Sequence, residues 1–144
     1  MKNENPLSQN EFIWPVRVYY EDSDAGGLVY HTNYLKFMER TRTEWFRHLG
    51  FEQTQLREQY HLIFVIRQLS IDYLKPAFFN DLLNVTADLT QIGKVSMTFS
   101  QQISRDTELL CKATVKIATI DIMKQRPQPL PLEIYKTLQS NLVS

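Results

Sequence analysis

The sequence predicts an α+β fold, in which one long central helix is wrapped by a curved five-stranded antiparallel sheet. One stretch, residues 33–49, spaces its apolar side chains as a helix does, whereas much of the later chain alternates apolar and polar residues. Alternating strands bury only one face of a sheet, so that face needs a cover. The long helix is the only element large enough to supply it.

The first strand is predicted over residues 12–20, which are rich in aromatic and β-branched side chains. Pro15 indicates an edge strand or a break, because proline has no amide hydrogen to donate to a neighbouring strand. Residues 21–32 contain acids, a serine and the pair Gly26-Gly27. This composition predicts a loop between the strand and the long helix.

The long helix is predicted over residues 33–49. Its apolar positions recur at helical spacing: Leu35, Met38, Trp45, Phe46 and Leu49. Thr32 or Asn33 can cap its start, and Gly50 is placed where a helix commonly ends. A weaker helical pattern covers residues 52–59.

Four further strands are predicted from alternation with a period of two. They lie around residues 69–73, 83–90, 95–103 and 111–117. Turn-like segments separate them at residues 76–81, 91–94 and 105–108. A short helix is predicted after Pro131. An open sheet of this kind keeps exposed edges, so we expect two copies of the chain to pair through an edge.

Composition and charge exclude several classes of protein. The 144 residues include 16 Lys and Arg and 16 Asp and Glu, and this zero net charge disfavours a general nucleic-acid binder. A single cysteine, Cys111, excludes an internal disulfide and a multi-thiolate zinc site, and we expect it to pack as a small hydrophobe. We expect a cytoplasmic protein, because neither a secretory signal nor a membrane span is recognisable.

The segment before the long helix is the best candidate for a reactive site. It contains three acids, Glu21, Asp22 and Asp24, together with two glycines and a histidine. A helix start offers unpaired amide groups and a partial positive charge, and glycine lets a substrate approach the backbone closely. The same residues also suit helix capping and a simple turn. Spacing alone does not decide which acid acts.

Other candidate residues have weaker support. His48 and His61 have no cysteine or carboxylate at ligand spacing, so no metal site is predicted. The sequence has no nucleophile-elbow motif, phosphate-binding loop or dinucleotide-binding glycine motif. Arg40, Arg42 and Arg47 are predicted to form a solvated face of the long helix.

Residues 16–50, VRVYYEDSDAGGLVYHTNYLKFMERTRTEWFRHLG, closely resemble the signature of hot-dog-fold acyl-CoA thioesterases of the 4-hydroxybenzoyl-CoA thioesterase type. Within this family, the segment looks most like the subgroup associated with the Tol–Pal cell-envelope system. The resemblance implies a hot-dog fold, with a flexible N-terminus over residues 1–11 and a single thioesterase domain over residues 12–144. It also implies hydrolysis of an acyl thioester to a free acid and a thiol.

The resemblance assigns roles within the loop. In the family, the second acid of the D-x-D-x-(A/G)-G pattern is catalytic, and that acid is Asp24 here. His31 is implied as a second catalytic residue that positions water or hydrogen-bonds the substrate. The implied substrate-binding residues are Gly26, Gly27, Tyr30 and Asn33. Amides near Tyr30 and His31 would polarise the thioester, and Asp24 would act either as nucleophile or as general base.

The resemblance also implies partners. The substrate would be an acyl-CoA, with acyl carrier protein as an alternative carrier and no cofactor beyond coenzyme A itself. The active form would be a homodimer or tetramer, with the site at a subunit interface. The main alternative is a non-hydrolytic module that binds acyl-CoA or acyl carrier protein and serves envelope phospholipid metabolism. A dehydratase or hydratase acting on acyl thioesters is a second alternative.

Overall fold

The computed structural model describes residues 12–143, so the predicted flexible segment, residues 1–11, lies outside the described residues. In chain order the elements are β1 (Phe12–Arg17), a 3-10 turn (Tyr20–Asp22), α1 (His31–His48), α2 (Gln53–Tyr60), β2 (Leu62–Tyr73), β3 (Leu82–Ile92), β4 (Ser96–Arg105), β5 (Glu108–Asp121), β6 (Arg126–Pro127) and α3 (Leu132–Gln139). None of the helices within residues 12–143 combines the length and the apolar composition that a membrane-spanning helix needs.

The sheet is antiparallel, with strand order β1-β3-β4-β5-β2, and the two-residue strand β6 pairs with β5. The predicted five-stranded sheet and long helix are confirmed. Strand β6 was not predicted, because two residues are too few to show an alternating pattern. The core lies between α1 and the sheet. Phe37, Met38 and Phe46 of α1 are buried there together with Leu89 and Phe99 of the strands.

The end of β1 differs from the prediction. β1 ends at Arg17, whereas the sequence predicted a strand to residue 20. Val18 is fully buried, but its N–H donates to the carbonyl of Asp81, in the turn before β3, at 2.9 Å. Tyr20 is 76% exposed and begins the 3-10 turn. Aromatic composition alone does not distinguish a strand residue from an exposed turn residue.

A bulge in β2 keeps its apolar residues on the face that α1 covers. Ile66 pairs with Ile117 and Leu69 pairs with Val115, but Arg67 has no partner residue in the register. Because one residue is inserted here, the apolar side chains after the bulge point to the same face as those before it. Without the bulge they would point to the opposite face. The strand therefore extends over 12 residues, well beyond the predicted segment 69–73.

Helix α1 and strand β2 lie side by side and run in opposite directions. At the start of α1, the rings of Tyr34 and Tyr73 are 5.4 Å apart. Near its end, the rings of Phe46 and Phe64 are 4.9 Å apart. The start of α1 therefore faces the end of β2, which is an edge strand of the sheet.

The prediction of a solvated arginine face on α1 is wrong at one position. Arg40 and Arg47 are exposed, but Arg42 is only 5% exposed. Its guanidinium donates to Oε1 of the fully buried Gln101 at 2.8 Å. Burial lowers the pKa of Arg42 to about 10. The side chain stays cationic at neutral pH and belongs to the interior.

Candidate active site

The segment between the 3-10 turn and α1 forms a closed loop. Ser23 and Val29 form an antiparallel bridge, and the N–H of Asp24 donates to the carbonyl of Leu28 at 2.8 Å. A second bridge joins Leu28 to Phe78 in the turn before β3. The loop is thus tied both to itself and to the sheet, which fixes its position at the start of α1.

The carboxylate of Asp24 is oriented by its own loop. Oδ1 accepts hydrogen bonds from the N–H of Gly26 at 2.9 Å and the N–H of Leu28 at 3.2 Å. The side chain is exposed, and Oδ2 has no hydrogen-bond partner among residues 12–143. One oxygen is held while the other faces outward. This arrangement suits a group that must meet a substrate in a fixed direction.

The two glycines have different roles in this geometry. Gly27 has φ of +81°, a left-handed conformation that glycine adopts without strain. Its N–H donates to the carbonyl of Asp24 at 3.0 Å, and its carbonyl accepts from Phe79 at 3.0 Å. At Gly26, an added Cβ would lie 3.4 Å from Oδ1 of Asp24. Both glycines flank the carboxylate, and their contact with substrate stays a prediction.

The other two acids of the segment are arranged differently. Oδ2 of Asp22 accepts a hydrogen bond from the N–H of Tyr19 at 2.9 Å, so this carboxylate caps the 3-10 turn. Glu21 is exposed, and no hydrogen bond from residues 12–143 orients its carboxylate. Spacing alone leaves the choice among the three acids open. The geometry favours Asp24.

The start of α1 presents open amide groups. The N–H of Tyr30 donates to the carbonyl of Asp22 at 3.2 Å, and the side-chain amide of Asn33 donates to the same carbonyl at 2.7 Å. Among residues 12–143, the N–H groups of His31 and Thr32 have no acceptor. The amide of Tyr30, predicted to polarise the thioester, is thus already engaged. Asn33 is buried and ties the helix to the 3-10 turn.

The ring of His31 is exposed and lies between two tyrosines. The rings of Tyr30 and His31 are 4.5 Å apart, and Tyr73 approaches His31 edge-on at 6.3 Å. Oη of Tyr73 donates to the carbonyl of His31 at 3.0 Å. No hydrogen bond joins Asp24 to His31 in the described part of the chain. The structure therefore gives no direct link between the two predicted catalytic residues within residues 12–143.

Tyr34 and Tyr73 lie beside the candidate site, although neither was among the predicted site residues. Together with His31 they line a cavity of about 280 Å³ beside the first turn of α1. Oη of Tyr34 accepts a hydrogen bond from the N–H of Ala77 at 2.9 Å. Burial raises the pKa of both tyrosines, so both hydroxyls stay protonated. The signal in the sequence was a tyrosine at the end of an apolar strand, where its hydroxyl needs a partner.

Other reactive groups lie away from this site. Cys111 is fully buried in β5, and burial raises the pKa of its thiol to about 12. It packs as a small hydrophobe, as predicted. Within residues 12–143, no group of three or more His, Cys, Asp or Glu side chains is placed to hold a metal ion.

Comparison with known proteins gives the family. The family model described as "Thioesterase superfamily" matches residues 26–112, which is more than half of the chain. The chain belongs to the Thioesterase superfamily. A Haemophilus influenzae protein named acyl-CoA thioesterase YbgC is 47% identical over 128 residues, covering 89% of this chain and 94% of the relative. An Escherichia coli protein named acyl-CoA thioester hydrolase YbgC is 42% identical, covering 85% and 92%.

A solved structure supports the fold. The crystal structure of a probable thioesterase from Bartonella henselae matches with a TM-score of 0.80 and 33% sequence identity. The match covers 84% of the present chain and 99% of the Bartonella chain. The predicted hot-dog fold is confirmed. The superfamily match begins at residue 26, two residues after Asp24, so it does not include Asp24, and the catalytic role of this residue stays a prediction.

Proposed function

We propose that this protein is an acyl-CoA thioesterase, which hydrolyses an acyl-CoA to a free acid and coenzyme A. Relatives with 47% and 42% identity are named for this activity. The observation that carries the proposal is the pairing of an oriented, exposed carboxylate, Asp24, with two open amides at the start of α1. Coenzyme A enters as part of the substrate, and no further cofactor is needed.

The geometry supports one way of polarising the thioester. The carbonyl oxygen accepts hydrogen bonds from the N–H groups of His31 and Thr32. The positive end of the α1 dipole adds to their effect, so the negative charge that develops on this oxygen is stabilised. These donors are backbone groups fixed by an 18-residue helix, so they need no rearrangement during the reaction.

Asp24 then drives cleavage in one of two ways. As a nucleophile, its outward oxygen bonds to the carbonyl carbon, the sulfur leaves as thiolate and takes a proton, and water hydrolyses the mixed anhydride. As a general base, it removes a proton from a water molecule that attacks the same carbon. A single turnover in ¹⁸O-labelled water separates these routes. In the nucleophilic route, water that attacks the aspartyl carbonyl of the anhydride leaves label in the carboxylate of Asp24, whereas the general-base route leaves label only in the released acid.

His31 and the glycines complete the proposed site. The exposed ring of His31 stands beside the open amides, where it holds the attacking water or the substrate. Gly26 and Gly27 leave space for the thioester to approach Asp24, and Tyr30 and Asn33 hold the start of α1 at the correct position. The contacts of these residues around Asp24 and the helix start support this assignment.

The decisive test is thiol release from acyl-CoA by Asp24→Asn beside Glu21→Gln. Both changes remove one negative charge from the same segment. We expect Asp24→Asn to lower kcat at least about a hundredfold, the usual contribution of a positioned acid or base. Glu21→Gln should change kcat less than about twofold, since its carboxylate is not oriented. Wild-type protein that binds acyl-CoA without releasing thiol would instead support the non-hydrolytic binding module.

The proposed active form is a homodimer, or a tetramer built from such dimers. Strand β2 is an edge strand with partly exposed apolar residues, Ile66 at 54% and Leu69 at 36%. Its charged residues, Arg67 and Asp72, have opposite signs. Antiparallel pairing of two β2 edges brings each Arg67 towards the partner's Asp72 and covers the apolar residues.

Sedimentation of wild-type protein and of Ile66→Glu tests this interface. Glutamate at Ile66 places two like charges in the paired edge, so we expect a shift from dimer to monomer and a loss of thiol release. Lys94→Glu, in the turn between β3 and β4, is the control and should keep the dimer. A wild-type protein that sediments only as a monomer at micromolar concentration would contradict the proposal.

The finer assignment rests on the resemblance of residues 16–50. We place the protein in the 4-hydroxybenzoyl-CoA thioesterase type, in the Tol–Pal-associated subgroup, as a cytoplasmic enzyme. Acyl carrier protein is the alternative carrier of its acyl group. Thiol release from octanoyl-CoA and from octanoyl-acyl carrier protein, compared by kcat/KM, tells which carrier the protein uses.

A further inference from the structure

A second cavity lies between α1, α2 and β2, further along the same helix. Its volume is about 200 Å³. One wall is apolar and includes Phe46, Phe64 and Ile66, whereas the other wall is polar and includes Arg42 and Glu39. A cavity of roughly 150 Å³ holds a benzene-sized group, so this one accepts the end of a small organic group.

Arg42 is a buried cation with unused hydrogen-bond donors. It is 5% exposed, and one N–H donates to Oε1 of Gln101 at 2.8 Å. The amide of Gln101 is occupied on its other side, because Nε2 donates to the carbonyls of Met38 and Thr86 at 3.1 Å. No carboxylate within residues 12–143 lies within 4.0 Å of the guanidinium.

A guanidinium has five N–H donors. Among residues 12–143, the only fully buried side-chain N or O atom without a partner is Oδ1 of Asp88, so the remaining donors of Arg42 are reached by solvent. A ligand that displaces this solvent without replacing its hydrogen bonds loses affinity. The other donors of Arg42 have no acceptor in the described part of the chain. The cavity therefore offers a ligand both an apolar wall and strong donors. Glu39 also lines it, with Oε2 accepting from the hydroxyl of Thr43 at 3.1 Å. This carboxylate disfavours an anionic ligand and accepts a hydrogen bond from a hydroxyl group.

The cavity lies on the same flank of the helix as the candidate active site. The cavity beside His31 and the cavity beside Arg42 are both lined by α1 and β2. The hydrogen bonds through Gln101 hold the guanidinium near the level of Met38. Met38 lies seven residues beyond His31, about 10 Å along the helix axis. A medium-length acyl group spans that distance from a thioester held at the start of α1.

We propose that the cavity beside Arg42 binds the far end of the acyl group and that Arg42 selects acyl groups with a hydroxyl there. The hydroxyl oxygen accepts from Arg42, and its hydrogen is donated to Glu39. The apolar wall holds the methylene groups that precede it. An acyl group that ends in a methyl leaves the donors of Arg42 unpaired. This inference rests on the proposed thioesterase function, since it assumes that an acyl-CoA is the ligand.

The test compares octanoyl-CoA with its omega-hydroxy derivative. We expect wild-type kcat/KM to be at least about tenfold higher for the hydroxylated substrate, because a site built to bind a hydroxyl rejects an analogue without it. Arg42→Met should abolish this ratio and Arg42→Lys should restore part of it. Arg40→Met, an exposed arginine on the same helix, should keep the ratio unchanged.

A binding measurement separates this inference from the proposed function. Calorimetric titration of Asp24→Asn with each of the two thioesters measures their binding affinities. This measurement needs neither hydrolysis nor a change at Arg42. At least about tenfold tighter binding of the hydroxylated thioester supports the site, even where thiol release fails or Arg42→Met does not fold. Equal affinities, or a kcat/KM ratio that persists in folded Arg42→Met, overturn the inference while leaving hydrolysis at Asp24 intact.

Discussion

The loop around Asp24 and the buried surroundings of Arg42 are held by contacts of very different range. Asp24 is oriented by amides two and four residues later in the chain. Arg42 is held by Gln101, which lies 59 residues away on β4. The first arrangement depends on local chain geometry, and the second depends on which strand packs beneath α1. The proposed reactive loop is therefore built by neighbouring residues, whereas the proposed binding site for the acyl group is built by the sheet.

The largest stability effect should come from the core beneath α1. Phe99 is fully buried, and its ring lies 5.2 Å from Trp45 and 5.9 Å from Phe46. Phe99→Ala should lower the free energy of unfolding by about 3–5 kcal/mol, because it removes buried surface and leaves a cavity. Urea unfolding measures this. A loss under about 1 kcal/mol would mean that α1 does not depend on this contact.

The loop should respond mainly to backbone conformation, and two adjacent glycines provide a matched pair. Gly27→Ala forces a side chain into a left-handed conformation and should cost about 1–2 kcal/mol. Thiol release should fall as well, because the carboxylate of Asp24 loses its fixed position. Thermal unfolding and kcat are the measurements.

Gly26→Ala is the control for Gly27→Ala. Its Cβ would lie 3.4 Å from Oδ1 of Asp24, an ordinary contact, so stability should change by less than about 0.5 kcal/mol. Equal losses of stability at the two glycines would show that crowding, and not the left-handed conformation, controls the loop.

The smallest expected effect on stability concerns the hydrogen bond between the end of β2 and the start of α1. Tyr73 lies at the end of β2 and donates to the carbonyl of His31. Tyr73→Phe removes this hydrogen bond and should cost about 0.5–1.5 kcal/mol of stability. kcat should fall more than KM rises, because the first turn of α1 carries the amides proposed to stabilise the developing charge and is less firmly placed. Tyr60→Phe, at an exposed hydroxyl in α2, should change neither, and matching effects at both tyrosines would exclude a specific role for Tyr73.

Burial of Arg42 shows where a prediction from helical spacing failed and how it can be improved. Arg42 lies four residues after Met38 and four before Phe46, and both of these are buried. Its position on the apolar stripe was therefore visible in the sequence. The prediction placed Arg42 on the solvated face because its side chain is charged, although its position on the helix indicates burial. A long side chain with a charged end can be buried when the core provides a hydrogen-bond partner for that end, as Gln101 does here.

The sequence by itself determined the α+β class, the order of the main elements and the loop before α1 as the candidate site. Each of these follows from periodicity or from residues close in the chain, where physical causes are local. Only the tertiary structure decided that the amides of His31 and Thr32 are open while that of Tyr30 is engaged. It also decided the bulge at Arg67, the place of Tyr73 beside His31 and the burial of Arg42. Those features depend on which strands meet α1, because a hydrogen-bond partner from a distant segment leaves no trace in local spacing.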